Sequence, residues 1–297
     1  MEFSDWHYKR ELIAESYFRT IFSGVILSTT VYADSKTGLT NFFIRDLMSC
    51  AAANEYSVVY VDLSNKKVPV TAAFLMALDR VLVAGNSANV SFNFFKGLFV
   101  SGKSHYPNDY YLNGGEGGDQ LFFLNNMSVH LELMEAKVMD ILKKNRLLLI
   151  FDHAHNLGAD LIADEFCIFL RRILVQYRDR LKPIYGTCDI PQWSAIFKNP
   201  RSALYSEGAS MHHLPVLDRI FVREVMQKSG IRIELDEAVH YFKQIGCKPG
   251  IFLAMVSGWS SSEHGEFVDY FNKFFLDMNA ENCSTNDKKK ESYVLHH

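Results

Sequence analysis

The sequence predicts an α/β fold in which a five-stranded parallel sheet is sandwiched between helices and followed by a small helical domain. Three observations carry that expectation. Residues 24–54, GVILSTTVYADSKTGLTNFFIRDLMSCAAAN, read as strand, tight loop and helix. Residues 146–152, RLLLIFD, are an apolar run ending in an acid, as a strand buried on both faces can be. From Pro215 onward the alternation of strands and helices stops and only helical periodicity remains.

Taken in order, Tyr8 to Phe22 predicts an amphipathic helix, with Leu12, Ile13, Tyr17, Phe18 and Ile21 able to share one face. Gly24 to Tyr32 is apolar and β-branched, as a buried strand should be, and the helix after the loop sets Phe42, Phe43, Leu47 and Cys50 at helical spacing. Ser57 to Leu63 predicts a second strand, and Thr71 to Val83 a helix. Val90 to Val100, dense in phenylalanine, reads as a core piece, whereas the glycine-rich stretch 101–126 reads as a surface loop or hairpin that is a candidate partner contact. Met127 to Lys144 predicts a helix closed by Lys143 and Lys144 against its macrodipole. After strand 146–152, Ala159 to Arg178 predicts a helix buried on a wide face that includes Leu161, Ile162 and Ile168. Pro183 to Thr187 predicts a fourth strand, Gln192 to Phe197 a short helix, and Met211 to Leu214 a fifth strand.

Composition bounds the function. The 297 residues are 48% hydrophobic and 22% charged, which suits one large domain or a domain with a smaller partner. A net charge of −3 gives no strong pull toward nucleic acid or membranes, although a local basic patch stays open. Cys50, Cys167, Cys188, Cys247 and Cys283 form no CxxC pair, so the expectation is reduced, mostly buried thiols and no structural zinc. Met1 to Arg19 mixes charges with apolar residues and lacks a signal-peptide core, and no stretch is apolar enough to span a bilayer. A soluble cytoplasmic protein without membrane insertion is expected.

The loop Ala33-Asp34-Ser35-Lys36-Thr37-Gly38-Leu39-Thr40 aligns with G-x-x-x-x-G-K-[ST] at its sixth and eighth positions and departs at two others. That motif aims backbone N–H groups and a lysine ammonium at the phosphates, while its hydroxyl holds Mg²⁺. Leu39 stands where the ammonium belongs, Ala33 replaces the first glycine, and Asp34 adds a negative charge; only Lys36 offers a compensating cation. Taken alone, the octapeptide is better matched by an ordinary strand–turn–helix with Gly38 near the helix start.

Asp152 ends the apolar strand and is followed by His153-Ala154-His155-Asn156-Leu157. A parallel strand that delivers an aspartate at its carboxyl end is the Walker B arrangement, in which the carboxylate orients Mg²⁺; a core strand ending in a turn aspartate is the alternative. The two stretches together, in this order, resemble the P-loop ATPases of the AAA+ and related STAND type. The resemblance implies a P-loop NTPase of the ASCE class with a helical lid. Asp152 is then the metal-orienting acid with Thr40, His153 stands in the position of the catalytic glutamate, and an imidazole is a poor substitute for that base. Thr187, with Asp189, falls at the sensor 1 position. Arg201 is placed where an arginine finger is often presented to a neighbouring subunit, a solvated loop arginine being the alternative. In Gly246-Cys247-Lys248-Pro249-Gly250, Gly250 takes the place of the sensor 2 arginine and leaves Lys248 as the nearest cation.

The expected domains are 1–214, an αβα nucleotide-binding domain; 215–279, a helical lid with helices at Val216–Ser229, Asp236–Ile245, Pro249–Trp259 and His264–Met278; and 280–297, a disordered tail. Departures at Ala33, Leu39, His153 and Gly250 predict an AAA+-like protein that binds ATP or ADP with Mg²⁺ weakly or not at all, hydrolyses little ATP, and serves as a structural or regulatory subunit, assembled with itself or with a partner ATPase. Two alternatives stay open. One is a slow ATPase that uses Lys36 as its phosphate cation. The other is a metal-dependent hydrolase of barrel type built on His153 and His155, with His212 and His213 as further ligands.

Overall fold

The computed structural model describes residues 6–24, 26–84, 127–158, 163–261 and 267–277. The stretches 90–100 and 101–126, the start of the helix expected from Ala159, and the tail 280–297 lie outside the described residues. The chain divides into two compact units: residues 9–35 with 39–214, and residues 215–297 with 1–8 and 36–38.

The first unit is built on strands β1 (Thr29–Tyr32), β2 (Tyr56–Asp62), β3 (Arg146–Asp152), β4 (Leu181–Thr187) and β5 (Met211–His213). They form one parallel sheet in the order β2-β3-β4-β1-β5. Side chains alternate across it, so Val59, Val61, Leu147, Leu149 and Phe151 join one core while Tyr60, Leu148 and Ile150 join the other. The first core is covered by α4 (Val70–Ala84), α5 (Met127–Lys144), α6 (Ala163–Gln176) and α7 (Ile190–Phe197). The second is covered by α1 (Glu11–Phe22) and the helix that follows the loop, which comprises α2 (Leu39–Asn41), a π-helical segment (Phe42–Leu47) and α3 (Met48–Ala53). This is the αβα sandwich that the sequence predicts.

Several expectations are corrected in detail. β1 is four residues long rather than nine: Gly24 has φ +80°, and the hydroxyls of Thr29 and Thr30 donate to the carbonyls of Ser210 and Gly208 at the start of the strand. Leu12 is 82% exposed, because α1 buries the stripe Ala14, Tyr17, Phe18 and Ile21, and Leu12 faces away from it. Ile168 is exposed for the same reason on α6. Of the described cysteines only Cys167 is buried; Cys50 and Cys247 are half-buried and Cys188, just beyond β4, is exposed. The helix after the loop departs from α geometry, with the Met48 N–H bonded to the Phe43 carbonyl five residues back. That wider winding lets the consecutive Phe42, Phe43 and Ile44 all enter the core.

The second unit is helical. It contains α8 (Arg219–Ser229), α9 (Leu235–Gln244), α10 (Pro249–Ser261) and a further helix over 267–277. Phe221, Phe242, Phe252 and Phe271 are fully buried in its core, against which Trp6 and Tyr8 also pack. Asp218 caps α8 through the N–H of Ile220, and Gly230, at φ +71°, ends it in the left-handed conformation that glycine supplies without strain. No helix among the described residues is long and apolar enough to cross a membrane.

Phe74 of α4 is fully buried, with the rings of Phe166 and Phe151 at 5.4 and 6.0 Å. Phe74→Ala is expected to cost about 3–5 kcal/mol, read as a lowered urea midpoint with an unchanged slope.

Candidate functional site

Parallel strands place their carboxyl ends on one edge, and crevices at that edge are where open α/β sheets bind ligands. β1 and β3, which carry the two sequence motifs, are separated in the sheet by β4. The ends of all three therefore lie side by side, with Thr187 between the two motif strands.

Asp152 is the centre of this edge. It is 1% exposed at the end of β3, and register pairs it with Asp62 at the end of β2. A buried carboxylate needs hydrogen-bond donors, and this one has three. The Thr40 hydroxyl donates to Oδ2 at 2.6 Å, the Tyr60 phenol donates to the same oxygen at 2.8 Å, and the His153 backbone N–H donates to Oδ1 at 2.9 Å. The structure thus brings together Thr40 and Asp152, the pair that the sequence marks as the metal site. Gly186 of β4 makes room for them: a Cβ there would sit 2.3 Å from the Phe43 ring and 3.2 Å from Asp152 Oδ1.

Around Asp152 lies a network of titratable groups. His153 adopts the left-handed conformation, φ 56°, which histidine tolerates better than most residues. Its Nδ1 lies 3.5 Å from Asp62 and 3.6 Å from Asp152 Oδ1, ion-pair rather than hydrogen-bond distances. The Asp62 carboxylate beside it raises the imidazole above its ordinary value, against the effect of burial. For Asp62, burial pushes the carboxyl up, but His153 and the Ser64 N–H outweigh it and leave the group below its ordinary value. His155 is held low by burial and by the neighbouring His153, and its Nδ1 lies 3.1 Å from the Thr187 hydroxyl. Burial pushes the Tyr60 phenol well above its ordinary range, and the Asp152 charge adds to the effect.

The loop contributes unevenly. Ala33 is buried, its N–H bonded to the Thr187 carbonyl, and exposed Asp34 accepts from the Tyr32 phenol at 2.6 Å. Ser35 and Lys36 are exposed, Thr37 is buried, and Lys36 and Gly38 take φ +68° and +92°. Leu39, at the position of the motif's lysine, is half-buried against the apolar core shared with α1 and β1. Lys36–Gly38 and Lys248 belong to the helical unit, where Lys248 follows Gly246 and Cys247, both at positive φ. Arg201 is exposed in a turn in which the Asn199 side chain accepts its N–H.

A hydroxyl and a carboxylate held 2.6 Å apart are hard oxygen donors that suit Mg²⁺, which often relies on one or two carboxylates plus phosphates. At the position of the motif's lysine, Leu39 packs against the apolar core. The hydrolase reading is overturned. His153 follows a strand of an open sheet with edges β2 and β5, not a barrel; His212 and His213 lie on β5, separated from β3 by β4 and β1; and no three His, Cys, Asp or Glu side chains among the described residues converge on a metal-sized site.

No protein-family model matches the chain, and no curated protein matches it in sequence. Among solved structures it is similar to the Walker-type ATPase PABY2304 of Pyrococcus abyssi, with a TM-score of 0.59 and 12% identity over 98% of this chain and 80% of that one. The chain has the P-loop ATPase fold. Weaker likenesses, each at 12% identity, are to the ORC1 protein of Aeropyrum pernix in complex with DNA (TM-score 0.41, 76% of this chain and 50% of that one) and to PCH-2 of C. elegans (TM-score 0.40, 91% and 65%). Within the P-loop ATPase fold, the residues that sequence reading missed are Tyr60 and Asp62. Both lie on the strand next to β3, and only register reveals that they face Asp152.

Two outcomes follow from this geometry. Gly186→Ala should destabilise the protein by about 1–3 kcal/mol through its clash with Phe43, measured by denaturant unfolding. The His153–Asp62 pair gives a pH signature. The raised imidazole contributes stability that is full below its ordinary value of 6.5 and is lost as pH rises through its higher folded value. The lowered Asp62 contributes stability that is present above 3.8 and is lost as pH falls. His153→Asn, which tolerates the same backbone, should therefore cost more at pH 5.5 than at pH 8.5. The difference should be at most ~1 kcal/mol for so exposed a pair, read from urea titrations at the two pH values.

Proposed function

We propose that this chain is an AAA+-like protein with a degraded nucleotide site that holds ATP or ADP weakly, hydrolyses it negligibly, and acts as a structural or regulatory subunit of a larger assembly. The observation that carries the reading is a contrast at one helix start. Thr40 keeps its 2.6 Å hydrogen bond to Asp152, while its neighbour Leu39 packs, half-buried, against the apolar core. In this reading Thr40 and Asp152 hold Mg²⁺ and the backbone of residues 33–39 faces the phosphates. A bound Mg²⁺ would supply charge neutralisation for the phosphate oxygens.

The residues at the reaction end support weak chemistry. His153 takes the position of the base, and its Nδ1 side is occupied by Asp62 and Asp152, so the imidazole is drawn toward the charged form that cannot accept a proton. Lys36 has no core packing to hold it inward, being exposed. Arg201, equally exposed, is suited to a contact with a second copy or a partner ATPase.

The decisive experiment combines phosphate release with nucleotide-titrated thermal unfolding. Wild type, Asp152→Ala and Lys36→Ala should all release phosphate at background rate. Leu39→Lys, whose flexible stem can lie along the core while its ammonium reaches out, should tighten ATP binding roughly 10- to 100-fold. Robust turnover abolished by both alanine substitutions would overturn the proposal in favour of a working ATPase with Lys36 as its cation.

A further inference from the structure

An ionised carboxylate offers about four acceptor positions on its two oxygens. At Asp152, donors among the described residues fill three of them: Thr40 and Tyr60 on Oδ2, and the His153 N–H on Oδ1. Two of these bonds are compatible with a metal. The Thr40 hydroxyl can give a lone pair to a cation and still donate its proton to Asp152, and the His153 N–H is backbone. The Tyr60 phenol is a second side-chain donor on Oδ2, beside Thr40, and takes a further acceptor position of the carboxylate.

The placement of Tyr60 is built into the sheet. Register pairs Tyr60 with Ile150 and Asp62 with Asp152, so Tyr60 sits on the same face as Asp152 and one diagonal step away, within reach of a long aromatic side chain. It is 4% exposed and packed in the core with Ile150, Leu148 and Phe42, so its ring is fixed. Its hydroxyl is held 2.8 Å from Asp152 Oδ2. Mg²⁺ dehydrates reluctantly and meets such an aspartate through its own waters, each of which needs a free acceptor position.

We propose that Tyr60 is a positioning residue that holds Asp152 by Oδ2 and occupies an acceptor position that a hydrated divalent cation would otherwise use, so that its hydroxyl lowers the affinity of this cleft for the cation. The inference rests on the nucleotide-cleft reading above and adds a second cause of weak binding, independent of Leu39.

The test is Mn²⁺ binding to the full chain followed by electron paramagnetic resonance, without nucleotide and with ADP, in wild type, Tyr60→Phe, Tyr60→Leu and Tyr60→Phe/Asp152→Asn, each checked by thermal unfolding. Both single variants should bind Mn²⁺ about tenfold more tightly than wild type, and Asp152→Asn should remove the gain. Where one single variant fails to fold, the other carries the comparison. Unchanged or weaker Mn²⁺ binding in the folded variants overturns the proposal, as does a gain that survives Asp152→Asn, which would place the cation elsewhere. The titration without nucleotide separates this outcome from the function proposed above, whose failure would appear as rapid phosphate release by wild type.

Discussion

A carboxylate that is 1% exposed has to be satisfied by the protein around it, and the sheet edge is arranged to satisfy Asp152. β2 contributes the Tyr60 phenol, the helix after the loop contributes the Thr40 hydroxyl, and β3 turns at its own end so that the His153 N–H points back. β4 contributes by what it lacks, since Gly186 leaves the space that Phe43 and the carboxylate fill. Four elements are thereby tied to one side chain. Removing any of the donors leaves a buried charge short of a partner, which typically costs more than the hydrogen bond itself is worth.

The departure from α geometry after the loop belongs to the same constraint. The helix must start where Thr40 meets Asp152 and must also bury Phe42, Phe43, Ile44 and Leu47 beneath the sheet. Three consecutive residues of a regular helix sweep through 200° of its circumference, too wide for one buried face. A π-helical turn spreads the residues differently and satisfies both demands. Asp46, drawn into the core by this winding, accepts the Arg10 N–H at 3.1 Å and so links the helix to the start of α1.

Asp62 and His153 shift each other toward their charged forms. Leu39, after the loop, contributes packing against the second core.

Much of this was legible from the chain. RLLLIFD predicts its strand residue for residue, because five consecutive apolar residues bounded by Arg146 and Asp152 suit a strand covered on both faces. Motif spacing singles out Thr40 and Asp152, and the structure adds the 2.6 Å hydrogen bond between them. What only the tertiary structure decided is pairing. That β2 lies beside β3 with Asp62 level with Asp152 depends on strand order and register, which join residues 90 apart and leave no local trace. Tyr60 therefore read as one apolar position in a strand, and its hydrogen bond to Asp152 exists only because the sheet sets the two side chains on the same face. The exposure of Leu12 and Ile168 was decided in the same way, since a helix with surplus apolar residues can bury only the stripe that its neighbours cover.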